Sequence, residues 1–320
     1  MSPLFHCFYV NSTKFVFTNK ERMFSLDPKE LPVPKLHHYL LGAVGPRPIA
    51  FASTIDKDGN PNLAPFSFFN VFSANPPIMI FSPARSGRTN TTKDTYENVK
   101  EVAECVINVV HYAMVEQMSL SSSPYAKGVN EFVKSGLTPL ASDIVKPFRV
   151  RESPVQFECK VNEVIELGDG GGAGNLVICE VVRIHIHEAV LDDKQMIDQK
   201  KIDLVARMGG NWYCRADQNS MFEVVKPITT IGIGYDQLPE DVKQSEILTA
   251  NDLGKLAGIE ELPNETEVNE YKLIELSEIF VTLEDEPVRL ETELHKLAQE
   301  KLKENNIEEA WKTLLAFNNQ

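Results

Sequence analysis

The sequence predicts a mainly β fold, an antiparallel barrel with short helices, followed by a helical C-terminal extension. Three observations point there. Short strand-like runs follow one another without the regular crossover helices that a parallel sheet requires. An Asp-Gly turn signal, Asp56-Lys57-Asp58-Gly59-Asn60, joins two of those runs. Beyond Pro227 the composition changes to acidic segments with apolar residues at helical spacing.

Taken in order, residues 49–55 read as a strand and 62–69 as its returning partner. Asn75-Pro76-Pro77 breaks the chain before Ile78-Met79-Ile80-Phe81-Ser82, a short apolar strand suited to a barrel interior. Tyr96, Val99, Val102 and Ala103 then recur at helical spacing, with Thr92 or Asp94 as the expected N-cap. Residues 105–110 form another buried strand, and 113–120 a second short helix. After a loop containing Pro139, Pro147 and Pro154, residues 155–167 and 175–191 make a long hairpin, with residues 168–174 as a flexible glycine-rich tip. Residues 238–253 and 288–315 are expected to be helical. In the second, Leu290, Leu294, Leu297, Leu302, Ala310, Leu314 and Leu315 form an amphipathic stripe, expected to pack on the barrel or on a second subunit.

The 320 residues, 42% of them hydrophobic, suffice for a full core. No run of 18 apolar residues occurs, so a soluble protein is expected. Residues 231–320 hold 21 acidic against 8 basic side chains, leaving 25 and 24 in the preceding 230. A nearly neutral body with an acidic tail argues against nucleic-acid binding. Five cysteines, odd in number and without a Cys-x-x-Cys pair, argue against a disulfide framework or zinc knuckle and for a reducing, cytoplasmic setting. The apolar patch within residues 1–10 lacks a basic lead and a small-residue cleavage site, and is not read as a signal peptide. Residues 1–22, before Met23, are expected to be a poorly ordered extension or an over-long start.

Gly168-x-Gly170-x-x-Ala173 matches a dinucleotide fingerprint formally, but a strand follows where a helix is needed. Arg183, His185 and His187 share one strand face. With no third ligand in view they read as a polar stripe, and no metal is expected. No Gly-x-Ser-x-Gly elbow or nucleophile arrangement supports a hydrolase.

A longer constellation is informative. Ser53, Thr54, Ser67, Arg88 and Lys93 offer the hydroxyls and cations that a phosphate needs, and Lys93 stands where the positive end of a helix assists an anion. Residues 64–67 and 69–70 can supply a flat apolar wall with backbone hydrogen-bonding groups along its edge.

Gly45-Pro46-Arg47-Pro48, Asn62-Leu63-Ala64-Pro65-Phe66-Ser67, Asn75-Pro76-Pro77 and Lys93-Asp94-Thr95 resemble, in that order, the flavin reductase-like, FMN-binding split-barrel family. Glu152-Ser153-Pro154-Val155, Glu180-Val181-Val182 and Gly209-Gly210-x-Trp212-Tyr213 extend the match to about 190 residues. The resemblance implies a six-stranded antiparallel split β-barrel over residues 36–227, between an N-terminal extension (1–35) and an acidic, largely helical extension (228–320). It also implies a homodimer, bound FMN, NADH or NADPH as electron donor, and in some members a monooxygenase partner. Carried onto this chain, the FMN-binding candidates are Arg47, Ser53, Thr54, Ala64, Pro65, Phe66, Ser67, Phe69, Asn70, Ser82, Arg88, Thr89, Lys93, Asp94, Thr95 and Trp212. No catalytic side chain is singled out, because the flavin carries the chemistry.

Each candidate also has a plainer reading. Phe66 and Phe68 on one strand face and Phe69 on the other can be core aromatics, Arg47 can hold a turn, and Trp212 can cover an interface. Two rival functions stand beside the reductase: a flavin carrier or sensor that recruits a partner through its acidic helices, and a pyridoxamine-phosphate-oxidase-like enzyme. The Gly-Pro-Arg-Pro and Asn-Leu-Ala-Pro-Phe-Ser segments weigh against the latter.

Overall fold

The computed structural model describes residues 23–318. The expectations for residues 1–22 lie outside them. The chain divides into two compact units, one spanning Phe24–Glu223 and the other containing the residues from Val224 onward.

The first unit is built on a seven-stranded sheet: β1 (Ala50–Ile55), β2 (Pro61–Phe66), β3 (Phe69–Ala74), β4 (Pro77–Phe81), β5 (Glu104–Asn108), β8 (Val155–Glu166) and β9 (Asn175–Ile186). Two-residue strands β6 (Pro139–Leu140) and β7 (Arg149–Val150) pair with each other, as do β10 (Leu204–Arg207) and β11 (Tyr213–Ala216). The main sheet runs β2-β1-β5-β8-β9-β4-β3 and every pairing is antiparallel. The expected antiparallel barrel is therefore present as an open sheet of seven strands, where six were expected. The extra strand arises because residues 62–69 are not one strand: β2 ends at Phe66, the chain bends at Ser67 and Phe68, and β3 begins at Phe69. The bend also overturns the expected alternation. Phe66 and Phe69 both pack on the barrel core, while Phe68 is exposed.

β1 is buried along its whole length because both of its faces are covered. Ala50 and Ala52 point into the barrel with Phe81, Ile107, Cys105, Cys159 and Cys179. Phe51 points outward with Leu63 onto Met114, Met118 and Phe132, which come from α3 (Val115–Leu120), α4 (Glu131–Ser135) and the turn before α3. Small side chains inside and large ones outside suit a narrow barrel, and the alternation follows from the two-residue period of a strand.

α2 (Asp94–Glu101) sits against β1 and β2, with Tyr96, Asn98 and Val99 buried. Its N-cap is Lys93, not the expected Thr92 or Asp94, and no side chain caps it. α1 (Val33–Ala43) is apolar yet buries none of its residues. A further short helix, α5 (Gln199–Ile202), leads into β10.

The second unit is helical: α6 (Glu240–Gln244), α7 (Ala250–Leu256), α8 (Glu265–Glu275), α9 (Ser277–Thr282), α10 (Pro287–Lys303) and α11 (Ile307–Leu315). The expected helix over 288–315 is two helices, separated at residues 304–306, where Asn305 adopts φ +62° and Asn306 accepts from the Glu309 N–H at 3.3 Å. Leu290, Leu294, Leu302, Ala310 and Leu314 are buried, so the amphipathic stripe serves this unit's own cores: Leu302, Ala310 and Leu314 pack with Trp311, and Leu290 and Leu294 with Val268 and Leu276. Reciprocal capping boxes, Thr249 with Asp252 and Asn264 with Glu267, start α7 and α8. No helix among the described residues is long and apolar enough to cross a membrane.

Candidate functional site

The loop between β4 and α2 is the most constructed feature near the candidate residues. Arg85 donates through Nε to Asn90 Oδ1 at 2.8 Å and through Nη2 to the Asn90 carbonyl at 2.7 Å. Asn90, at φ +55°, donates in turn to the Asp169 carbonyl at 3.0 Å. Ser86 Oγ accepts from the N–H groups of Arg88 (3.4 Å) and Thr89 (3.2 Å). The Arg85 N–H donates to the Ala173 carbonyl, and the Gly172 N–H returns to the Arg85 carbonyl.

The glycine-rich hairpin end, expected to be a flexible tip, is thus docked on this loop. A Cβ on Gly171 would stand 3.1 Å from the Ser86 carbonyl, and one on Gly174 2.9 Å from Ser82 Oγ. These glycines allow two backbones to touch. Arg85, Ser86 and Asn90 were missed in the sequence because their role depends on a hairpin some 80 residues away.

Around this loop the candidates divide. Arg88, Thr89 and Lys93 stand exposed on it, and among the described residues neither Arg88 nor Lys93 is within ion-pair distance of a carboxylate. Lys93 begins α2, whose first N–H groups have no side-chain acceptor. Cations, a threonine hydroxyl and an uncapped helix start are the kinds of donor that a phosphate takes. The Asp94 carboxylate, beside Lys93, is an acceptor and cannot serve as a donor to that anion.

Thr54 and Thr95 are buried in a network. Asn62 Nδ2 donates to Thr54 Oγ1 (3.2 Å) and Thr95 Oγ1 (2.8 Å), and Asn98 Nδ2 donates to Thr54 Oγ1 (3.1 Å). This fastens the start of α2 to the sheet. Ser53, adjacent on the strand, points to the opposite face, and its buried Oγ has no partner. Ser53 and Thr54 are thus both buried, Thr54 in the network behind the start of α2. Ser82 is buried as well: its Oγ accepts from the Asn175 N–H at 3.1 Å and its N–H donates to the Phe68 carbonyl at 2.9 Å, which carries the loop past the bend at residues 67–68.

Of the apolar wall, Ala64, Pro65, Ser67 and Phe69 are half-buried, Asn70 is exposed, and Phe66 lies against Phe81 with ring centroids 5.5 Å apart. Asn70 Oδ1 accepts from the Val71 N–H at 2.8 Å. Phe68 meets the ring of His37, from α1, edge-on at 6.3 Å.

Arg47 is buried and holds a turn. It donates to the carbonyls of Leu41 (2.8 Å), Val44 and Met208 (2.8 Å), and Nε lies 3.5 Å from Ser67 Oγ. Burial and then the like charge of Arg207 hold its guanidinium below the ordinary value. Trp212 lies in the turn that Arg47 steadies, with its side chain 76% exposed. Residues of that turn help to line a cleft of about 370 Å³ with Ile49, Pro65, Ser67 and Met118; of its polar residues Ser67 was a candidate, whereas Ser119, Ser122, Arg207 and Asn211 were not foreseen in the sequence.

Away from these groups, Glu158 is fully buried and accepts from the N–H groups of Asp143 (2.8 Å), Ile144 (2.7 Å) and Val145 (3.0 Å), with His185 Nε2 at 2.7 Å. Asp143, Glu158 and His185 lie within the reach of a metal ion, but the Glu158 oxygens are already engaged. His187 falls beyond β9 and accepts from the Ala189 N–H at 3.1 Å, so the expected stripe is split between two local tasks.

With this geometry in place, comparison with known proteins assigns the family. Residues 43–202 match the flavin reductase like domain. This chain belongs to that family. An uncharacterized protein of Aquifex aeolicus is 38% identical over 188 residues, covering 59% of this chain and 93% of that relative. Among solved structures, nitrilotriacetate monooxygenase component B from Bacillus cereus superposes with TM-score 0.59 at 29% identity, covering 64% of this chain and all of that one. A provisionally named flavin reductase with a split barrel domain from Shewanella frigidimarina gives TM-score 0.52 at 27% identity, covering 62% and 96%. The open antiparallel sheet of this chain is thus a flavin reductase-like split barrel, and the family is one of flavin oxidoreductases.

Proposed function

We propose that this protein binds FMN and acts as a homodimeric, cytoplasmic oxidoreductase that takes electrons from NADH or NADPH and passes them to a second flavin, oxygen or a small acceptor. The observation that carries the reading is the braced β4–α2 loop, which presents Arg88, Thr89 and Lys93 without carboxylate partners beside the uncapped start of α2. These groups would hold the phosphate. Residues 64–70 would line the ring and Trp212 would cover it. Arg47, Ser53, Thr54, Ser82 and Thr95 support that surface from within. A bound flavin supplies acceptance of a hydride and its release as single electrons or a pair; the side chains bind, orient and exclude water.

Two features support a second copy as a partner. The edge strand β3 exposes Val71 (57%) and Phe72 (63%), and the apolar helix α1 buries none of its residues. Similarity to a monooxygenase component supports a monooxygenase as a further partner. The separately cored acidic helical unit supports a second reading, a flavin carrier that recruits a protein through those helices.

The visible spectrum of the purified protein, followed by anaerobic addition of NADH and NADPH, tests both. Flavin bands that bleach with one donor support the reductase and name the donor, whereas bands that persist support the carrier. A colourless protein that takes up no FMN overturns the reading. Lys93→Ala should weaken FMN retention by about 10- to 100-fold, the loss of one charge-assisted hydrogen bond of roughly 1.5 to 3 kcal/mol. Unchanged retention would remove Lys93 from the phosphate site.

A further inference from the structure

The cleft beside the Arg47 turn has a chemistry of its own. Its polar rim is formed by Ser67 after β2, Ser119 on α3, Ser122 beyond it, Arg207 at the end of β10 and Asn211 in the β10–β11 turn, with Tyr213 as one wall. Three separate segments of the first unit therefore contribute hydroxyls, an amide and a cation to one cavity of about 370 Å³, and Ile49 brings a fourth segment to its lining. Apart from the guanidinium, none of these rim side chains carries a charge at neutral pH.

Arg207 is fixed in that rim. Its backbone forms a two-way bridge with Arg47, its Nη2 donates to the Gly210 carbonyl at 2.7 Å, and its guanidinium lies 4.6 Å from the centre of the Tyr213 ring. The contact with the ring and the single backbone bond engage the guanidinium while leaving most of its five N–H donors unassigned. The charge of Arg207 acts on Arg47, and neither guanidinium is within ion-pair distance of a carboxylate among the described residues. Two like charges held close without a counter-charge favour an anion at the accessible one. Arg47 is spent on backbone carbonyls and buried, which leaves Arg207 as the accessible donor.

We infer that this cleft binds a small planar organic anion, a carboxylate or phosphate, with Arg207 as the anion-recognising residue and the serine hydroxyls and Asn211 as supplementary donors. The volume admits a single-ring molecule and its substituents. Ile49, Pro65 and Met118 in the lining offer apolar contact to the ring, and the hydroxyls, Asn211 and Arg207 offer donors to its charged group. The inference rests on the proposed flavin function in naming this anion as the flavin's reaction partner, and the cleft shares Pro65 and Ser67 with the wall proposed for the flavin ring, so anion binding is compared with and without added FMN.

The test uses the full-length protein and isothermal titration with three probes: benzoate, phenyl phosphate and the neutral isostere benzamide. At least one anion should bind tenfold or more tightly than benzamide, and that preference should shrink as salt is raised. The stronger anion identifies the charged group. Arg207→Gln should bring the anion down to the level of benzamide, and Arg207→Lys, which keeps the charge without the planar fork, should fall between. Circular dichroism and FMN retention are recorded on the same samples. Loss of anion binding with the fold and FMN retention intact places the effect in the cleft, whereas a wild-type protein that binds benzoate but no FMN sinks the flavin reading alone. Should Arg207→Gln fail to fold, the three-probe comparison on the wild type still decides. Equal binding of benzoate, phenyl phosphate and benzamide, no binding of either anion at millimolar concentration, or full anion affinity in a folded Arg207→Gln protein overturns the inference.

Discussion

Arg47 and Met208, 161 positions apart, are joined by a 2.8 Å hydrogen bond from the guanidinium Nη2 to the main-chain carbonyl. The same side chain holds the carbonyls of Leu41 and Val44 at the end of α1, so one buried cation fastens α1 to the turn that carries Trp212. Arg47→Met keeps the length of the side chain but leaves those carbonyls without a donor. The expected cost is about 2 to 3 kcal/mol, read as a lowered denaturant midpoint, together with faster amide exchange over residues 208–212. An unchanged midpoint and exchange pattern would show that water replaces the guanidinium without loss.

Glu158 gives the barrel a defined acid sensitivity. Burial pushes its carboxyl up, but the N–H of Asp143, the His185 ring and the N–H groups of Ile144 and Val145 together outweigh this and hold it at about 2. A carboxyl depressed in the folded state contributes stability above its unfolded value near 4.5, and that contribution drains away as pH falls from there towards 2. Glu158→Gln should therefore be destabilised at pH 7, by about 1 to 3 kcal/mol for its mispaired donors, and should show a flatter loss of stability below pH 4.5. Parallel acid-limb slopes for the two proteins would refute this.

The strands were readable because short apolar runs with an Asp-Gly turn and Pro-Pro breaks have few other outcomes, and Phe51 and Leu63 needed only covering helices outside the barrel. Three things were not readable. The bend at Ser67 and Phe68 carries no glycine or proline, so a continuous strand was the natural expectation. Gly171 and Gly174 have the composition of a mobile tip, and only the proximity of Ser86 and Ser82 makes them contact points. Within the candidate site, adjacent hydroxyls such as Ser53 and Thr54 look interchangeable in sequence, yet strand alternation sends them to opposite faces. The exposed Arg88 and Lys93 stayed legible because their position depends on local chain direction alone. Arg207 did not, because its surroundings come from four separate segments.

The cysteines should differ sharply in reactivity. Cys105, Cys159 and Cys179 are fully buried in the barrel core, with Cys105 Sγ 3.6 Å from Cys179 Sγ, whereas Cys214 on β11 is partly exposed. Brief treatment of the native protein with a thiol reagent, followed by peptide mapping, should label Cys214 and leave the three core thiols unmodified until denaturant is added. Rapid labelling of Cys105 or Cys179 under native conditions would mean that the barrel opens far more readily than its packing implies.

The two tryptophans allow the helical unit to be followed separately from the barrel. Trp311 is fully buried among Leu256, Leu302 and Leu314 and donates through Nε1 to the Leu256 carbonyl at 3.0 Å, whereas Trp212 is 76% exposed. Trp311→Phe removes that donor and part of the ring, leaving a buried carbonyl unpaired, at an expected cost of about 1 to 3 kcal/mol; Trp311→Ala also opens a cavity and should cost about 3 to 5 kcal/mol. In the flavin-free wild type one emission component should be blue-shifted and protected from iodide, and the other red-shifted and quenched by iodide. Trp311→Phe should delete the protected component alone, whereas Trp212→Phe should delete the quenched one and leave stability within about 0.5 kcal/mol, as befits an exposed side chain. If Trp212→Phe instead removed the protected component in flavin-free protein, the indole would be covered in solution by a second copy of the chain, whereas protection that appears only on adding FMN would support the proposed place of Trp212 over the ring.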